Sequence, residues 1–442
     1  MPALILATAA LALPVVRGAE TTPQKTYAVG TATCDGFVRL QIGMAKGFCA
    51  GLVVGPADGK FEQRLMRTPR MLLPLADGHR WLVTDLGGWS AGQGAIWLLD
   101  VEKSRAVRLV PILTGLTMPH TIALGPDQRI YVGEMGRIFR FDPLAKDPAG
   151  TIQAVVSGLP DNKLHYNRHP LTHFLFDENG DLLVNVGAPT DHCVLHSGLS
   201  KVQRCAVAEG EEAKAVIRRY EYLGDGAWAS THKVLARGLR NSLVLIRHES
   251  GTLLQGENSY DVPPLDDRPY DEINLIRQGA NYGWPYCADL DQRTAAWVNS
   301  KAFDCNSDAH SKPVALLPPH SSPLGATYYN GTMFAGLRGK LLMSLHGYRP
   351  AGSRLVAFDV DSHGIPNRVP DARYAVYEGG RVTMRKFDGP AAQPFVLTER
   401  WDLIPGVRPA GAPVGISIAP DGAVWVADDR NGAIVRIAVD RP

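Results

Sequence analysis

Apolar positions along this chain fall in short runs broken by polar turns, and one unit recurs six times. The unit is an apolar strand, a turn usually carrying Asp or Asn with Gly, and a second apolar strand. It spans residues 71–85 (MLLPLADGHRWLVTD), 121–135, 173–187, 244–258, 326–346 and 415–429 (GISIAPDGAVWVADD). The runs are rich in β-branched and aromatic residues bounded by turn formers, which is strand chemistry. Asp-Gly between two such runs is a strong hairpin signal. Helical periodicity is scarce, and only 207–220 reads as a short helix. Six hairpin units in 442 residues suit four-stranded blades with insertions. The pattern therefore predicts an all-β fold over residues 27–442, a six-bladed β-propeller of four-stranded antiparallel blades. The last run, AIVRIAV (433–439), is expected to pair with strands around 35–54 and close the ring, which removes exposed sheet edges. A pair of β-sandwiches is the competing architecture.

The phase of the repeat also predicts a site. If the first strand of each hairpin lines the central channel, the residues just before it gather at one mouth. They read TPR (68–70), MPH (118–120), RHPLTH (168–173), LRN (239–241), PHSSP (319–323) and RPAGAP (408–413). Any one of these is unremarkable as a polar loop capped by Pro. Six together make a concave mouth with convergent Arg, His and Asn, the ordinary form of a ligand site.

Composition narrows the class. Hydrophobic residues make up 45% and the net charge is +2, so nothing points to nucleic acid or an anionic membrane as partner. The apolar run at 3–16 is short for a membrane span, which takes about 20 residues. It reads as the core of a signal peptide over residues 1–19, although no basic residue precedes it and Arg17 suits cleavage poorly; a buried first strand or helix is the alternative. No other segment reads as a span. Six cysteines form three local couples, Cys34/Cys49, Cys193/Cys205 and Cys287/Cys305, without haem or zinc spacing. Three short disulfide loops are the simplest pairing and agree with a periplasmic or secreted protein; six buried thiols are the alternative.

The most specific stretches are RGLRNSLVLIRHESGTLLQGEN (237–258) and DEINLIRQGANYGWPYC (271–287). With RHPLTH and DENGDLLVNVG, they resemble the soluble quinoprotein sugar dehydrogenases, the glucose/sorbosone dehydrogenase family, which uses pyrroloquinoline quinone (PQQ). The likeness runs from RTPRMLLPLADG to the last hairpin. It implies a six-bladed propeller, PQQ and Ca2+ as cofactors, a sugar aldose, sorbosone-like or related small alcohol or aldehyde substrate, and an external electron acceptor such as a cytochrome or quinone. The resemblance places the base at His169, with His165 and His173 as near rivals. It places cofactor contacts at Arg240 and Asn241, and mouth residues at His346 and Arg349. His120, His320 and Arg408, from the mouth segments, complete the candidate cofactor contacts. One calcium would rest on the carbonyls of Ser259 and Tyr260, a second on Glu272 and Tyr282.

The residue types suit these roles independently. A neutral histidine accepts a hydroxyl proton near neutral pH. Arginine grips carboxylates through two donors at once. Calcium takes carboxylate and carbonyl oxygens. The sequence also departs from the family pattern. Arg168 stands beside the base, 261–269 is an insertion, His346 replaces an expected lysine, and Ala412 replaces an arginine whose nearest stand-in is Arg408. Two other classes stay open: a binding propeller without catalysis, and a metal-dependent, lactonase-like hydrolase.

Overall fold

The computed structural model describes residues 28–55, 64–161, 168–193, 204–261, 268–399, 401 and 411–441. The expected leader at 1–19 lies outside them, as do His165 and Arg408.

All six repeat units are hairpins, each opening a blade. Blade 1 is Pro69–Pro74, Arg80–Asp85, Gly94–Val101 and Val107–Leu116. Blade 2 is Ile122–Leu124, Ile130–Glu134, Arg137–Phe141 and Gln153–Ser157. Blade 3 is Phe174–Phe176, Leu182–Val186, Val216–Tyr220 and Lys233–Arg237. Blade 4 is Ser242–Arg247, Leu253–Glu257, Asp271–Leu275 and Ala315–Leu317. Blade 5 is Pro323–Tyr328, Leu341–Leu345, Arg354–Phe358 and Phe395–Glu399, with Gly43–Met44 on its edge. Blade 6 joins the chain ends: Pro413–Ile418, Val424–Asp428 and Ala433–Val439 are followed by Phe48–Val54. Phe37–Leu40 and Ala28–Cys34 extend that sheet to six strands.

The expected helix at 207–220 does not form. Ala206–Ala208 is one 3-10 turn, Ala215 takes a φ of +58°, and Val216–Tyr220 pairs with Leu182–Val186. A left-handed residue ends any helix there, and the β-branched Val216 and Ile217 fill a sheet position instead.

Apolar faces of successive blades pack against one another, as in Trp81 of blade 1 stacked on Trp425 of blade 6 at 4.3 Å. Each buried side chain of this size contributes roughly 1.5–3 kcal/mol. The next-to-last residue of each second strand alternates around the ring. Odd blades carry a polar peg: Thr84 donates to the carbonyl of His120, Asn185 to that of Ser242 and Ser344 to that of Val414, at 2.5–2.7 Å. Even blades carry Gly133, Gly256 and Ala427 there. A Cβ on Gly133 would meet the Thr172 carbonyl at 2.6 Å, so small size lets the next inner strand approach.

All three local cysteine couples are disulfides. Cys34–Cys49 lies in the closing sheet, where Arg436 also binds Asp35 and Asp421. Among the described residues no helix is long and apolar enough to cross a membrane.

Candidate active site

One residue per blade decides how the channel mouth is held. The second strand ends in a carboxylate in blades 1, 2, 4 and 6. Asp85 accepts the backbone N–H groups of Arg67 and Thr68, Glu134 that of Thr117, Glu257 that of Asn241 and Asp428 that of Ala412, at 2.6–3.1 Å. Each clamp fixes the segment entering its own inner strand. Blades 3 and 5 have Val186 and Leu345 at this position.

Above the inner strands lies a cavity of about 820 Å3. Its floor is apolar: Leu171, Leu243 and Leu324 line it, and they pack with Leu86, Met118 and Val414, so that all six blades plug the channel. Four of the six expected mouth segments reach the cavity, through Thr68 and Arg70, Arg168 and His169, Arg240 and Asn241, and His320 and Ser322. The blade 2 segment turns down into the floor with Met118. Blade 6 instead contributes Asp429 and Arg430, from the far end of its hairpin.

His169 is half-buried, and its Nδ1–H donates to the Ala188 carbonyl at 2.5 Å. That bond puts the ring proton on Nδ1 and makes Nε2 the lone-pair nitrogen. Burial, then the Arg240 charge, lowers its pKa to about 3, so the ring is neutral throughout the ordinary range. Its neighbour in blade 3 is Gly187, where a Cβ would lie 2.5 Å from His169 Cβ. The other histidine in this stretch, His173, is buried with both nitrogens engaged, by Thr121 Oγ1 and the Leu245 N–H.

Arg240 is buried in a cage of acceptors. Nε donates to Asp191 at 2.8 Å, Nη1 to the Asn258 carbonyl at 2.8 Å and Nη2 to Asp261 at 3.0 Å. Burial opposes its charge, but Asp191, Asp261 and Glu257 outweigh that and hold its pKa above the usual value. Asp261 also lies 3.5 Å from His320 Nδ1. Burial works against the Asp261 charge, yet His320 and Arg240 hold it at about 2. A second ion pair crosses the ring closure: Arg70 binds Asp429 at 2.5 Å, and His346 Nε2 binds the other oxygen of Asp429 at 2.9 Å. His120 is buried beneath the floor, where Nδ1 accepts from Arg70 Nε at 3.2 Å. It does not itself line the cavity, whereas that arginine does. Arg349 does not line the cavity.

The loop after Glu257 is shaped for a hard cation. Asp271 accepts the N–H of Ser259 at 2.9 Å and that of Ser322 at 2.6 Å, tying blade 4 to blade 5. Burial raises its pKa to about 6. Nothing among the described residues donates to the carbonyls of Ser259 or Tyr260. The neighbouring Asn258 Oδ1 is buried without a partner. Ser259 lines the cavity, while the Tyr260 ring packs on His192. These oxygens fit calcium, which accepts carbonyl and amide donors.

The other expected pair is less open. Glu272 is buried, and burial, then Asp289 and Glu257, push its pKa well above the carboxylate range. Glu257 stands directly across from it in the sheet. The Tyr282 hydroxyl, however, donates to the Leu275 carbonyl at 2.5 Å and accepts the Arg277 N–H. Its carbonyl accepts from His310.

Residues 162–372, which carry most of these groups, match the Glucose / Sorbosone dehydrogenase family. No curated protein matches the chain by sequence. Solved structures share the fold. A Trichoderma reesei carbohydrate-active enzyme of family AA12 is 18% identical with a TM-score of 0.65, over 96% of this chain and 100% of that one. The PQQ domain of Coprinopsis cinerea pyranose dehydrogenase, in its holo form, is 19% identical with a TM-score of 0.62, over 92% and 99%. PQQ-bound aldose sugar dehydrogenase from Streptomyces coelicolor is 17% identical with a TM-score of 0.55, over 90% and 100%. The family read from RN and DEIN…NYGWP is thus the one matched over residues 162–372, just under half of the chain. At these identities the structural likeness is one of fold.

Proposed function

With the family match over residues 162–372 as premise, we propose that this chain is a PQQ-dependent dehydrogenase that oxidises a sugar or related small alcohol or aldehyde. One observation carries the reading: the cavity sets a histidine with its proton fixed on Nδ1 beside a buried arginine and a loop whose carbonyls no described residue claims. Arg240, Asn241, His320 and His346 are the groups placed to hold the cofactor, and the carbonyls of Ser259 and Tyr260 its calcium. When bound, PQQ supplies a hydride acceptor and calcium a Lewis acid beside it.

His169 Nε2 takes the proton of the substrate hydroxyl, and the Ala188 carbonyl stabilises the imidazolium that results through the Nδ1–H bond. Proximity of Arg240 weakens this base in the resting protein, and an anion bound against Arg240 would restore part of its basicity. The carboxylates of Asp191 and Asp261 hold the guanidinium plane, so an incoming carboxylate meets an oriented group and would bind through two donors by displacing the exposed Asp261. The leucine floor keeps water from the underside of the cavity. Glu272 remains a candidate for the second calcium through its carboxylate. Three disulfides support an exported enzyme, which would pass electrons to an external acceptor.

The test is reconstitution. Protein mixed with PQQ and calcium should show a shifted cofactor spectrum and reduce a dye with aldoses, sorbosone or alcohols. An unchanged PQQ spectrum would sink the cofactor assignment, and PQQ binding without dye reduction by any of them would leave a binding propeller.

A further inference from the structure

The cavity lining includes the exposed residues Arg67, Trp89 and Arg168 beside the more buried groups assigned to the cofactor, and these form its rim. Trp89 lines the rim and is 54% exposed. No aromatic or cationic side chain among the described residues packs on its ring. It is presented on a tight loop, Gly87-Gly88-Trp89, between two blade 1 strands. Gly87 has a φ of +67°, its N–H donates to Asp85 at 2.9 Å, and a Cβ there would meet the Gln93 carbonyl at 1.8 Å. The indole therefore projects from a loop closed on itself.

Charge is distributed unevenly across the same cavity. The three lining carboxylates are all engaged within the protein: Asp261 by Arg240, Asp271 by Ser259 and Ser322, and Asp429 by Arg70 and His346. The inner arginines Arg70 and Arg240 are likewise paired. Arg67 and Arg168, in contrast, line the rim, are exposed and form no ion pair among the described residues. Arg168 adjoins His169 in sequence, and its N–H is fixed on the Pro189 carbonyl at 2.9 Å.

We infer that this rim is a subsite for a pyranose unit bearing a carboxylate, such as a uronic acid, with Trp89 as the stacking platform and Arg168 and Arg67 as the anion-reading groups. The inference rests on the sugar-oxidising reading of the cavity and names its substrate class. An indole face covers the C–H face of a pyranose and removes apolar surface from water. Guanidinium groups grip a carboxylate through paired hydrogen bonds. A neutral sugar would leave both rim arginines without an anion.

Calorimetric titration of glucuronate and glucose tests this, on PQQ-loaded and PQQ-free protein. Glucuronate should bind about tenfold more tightly than glucose at low salt, as one charge-assisted contact implies. That preference should shrink at about 1 M salt, where the screening length is about 3 Å. Arg168→Gln with Arg67→Gln should abolish the preference and leave glucose affinity unchanged, while Trp89→Ala should weaken both sugars by similar factors. Equal affinities in the unaltered protein, or a preference that survives the double substitution, would overturn the inference. So would a double variant that loses PQQ affinity by absorbance titration and keeps the sugar preference, since the arginines would then serve the cofactor. Failure of PQQ to bind at all appears only in the absorbance titration and condemns the cofactor reading alone, because the sugar preference is still read in the PQQ-free protein.

Discussion

Blades 1, 2, 4 and 6 close their mouth segments with a buried carboxylate, whereas blades 3 and 5 have Val186 and Leu345 in its place. The two blades without the clamp bring His169, His320 and His346 to the cavity. In blade 3 the next residue is Gly187, and the space a side chain would fill is taken by His169 itself. In blade 5 the residue after Leu345 is His346, followed by Gly347, whose Cβ would lie 1.9 Å from the His320 carbonyl. A carboxylate clamp stabilises a loop by pairing its N–H groups. Giving it up leaves room for a side chain with chemistry to do. Four blades thus hold the ring, and two carry the histidines it presents.

His169→Ala is expected to lower kcat/KM by about 10²–10⁴-fold, the usual scale for a general base, with PQQ affinity largely kept. The same change should alter the acid limb of stability. Folding depresses the pKa of His169 to about 3 and of His173 to about 4, so unfolding takes up protons below the ordinary histidine value of 6.5. Stability is then full above pH 6.5 and lost as pH falls toward 3, and His169→Ala should lose less of it. Denaturant midpoints measured between pH 7.5 and 4 check this; identical slopes would contradict it.

Gly187→Ala comes next. Its methyl group would displace His169, and a misplaced base costs up to about 10²-fold in rate. Unfolding measured beside kinetics should show the rate falling far more than the stability. In a clamped blade the balance should reverse. Asp428→Ala strands the N–H groups of Ala412 and Asn431, which should cost about 1–3 kcal/mol in stability. PQQ affinity in that variant should fall less than stability, since Asp428 itself does not line the cavity. The mildest change is Glu134→Gln, which keeps an acceptor for Thr117 and loses only the part-exposed pair with Arg137. A cost of about 0.5 kcal/mol is expected, read as a small shift in urea midpoint.

Much of this contrast was legible in the chain. The hairpins, the blade count and the disulfide couples follow from local signals, because each is made within a few dozen residues; the closing strand pairs the two chain ends, Val439 with Phe48, and is legible because a ring of blades must close. His169, Arg240, Asn241 and His320 reach one cavity from segments that the phase of the repeat picks out, and His346, expected there from the family resemblance, joins them. What local pattern does not carry is the identity of partners. Arg240 meets Asp191, 49 residues earlier, because blades 3 and 4 stand side by side, and Arg70 meets Asp429, 359 residues later, because the ring closes. His120 belongs to a mouth segment by sequence but is drawn beneath the floor, since blade 2 turns at Met118 with a φ of +51°. Trp89 lies outside the six mouth segments, so the phase of the repeat does not point to it. The segment 207–220 has helix-forming residues, but Ala215 and the pairing of Val216–Tyr220 override them.

The most direct test of the central claim is a single turnover without oxygen. PQQ- and calcium-loaded protein is mixed with excess aldose or uronic acid, and the cofactor spectrum is followed in the unaltered protein and in His169→Gln. The expected result is reduction of the bound cofactor in one exponential phase, slowed about 10²–10⁴-fold by the substitution. Loaded protein whose spectrum never changes with any of these sugars, or reduction at equal rates in both proteins, would contradict the assignment of His169 as the base of a sugar-oxidising quinoprotein.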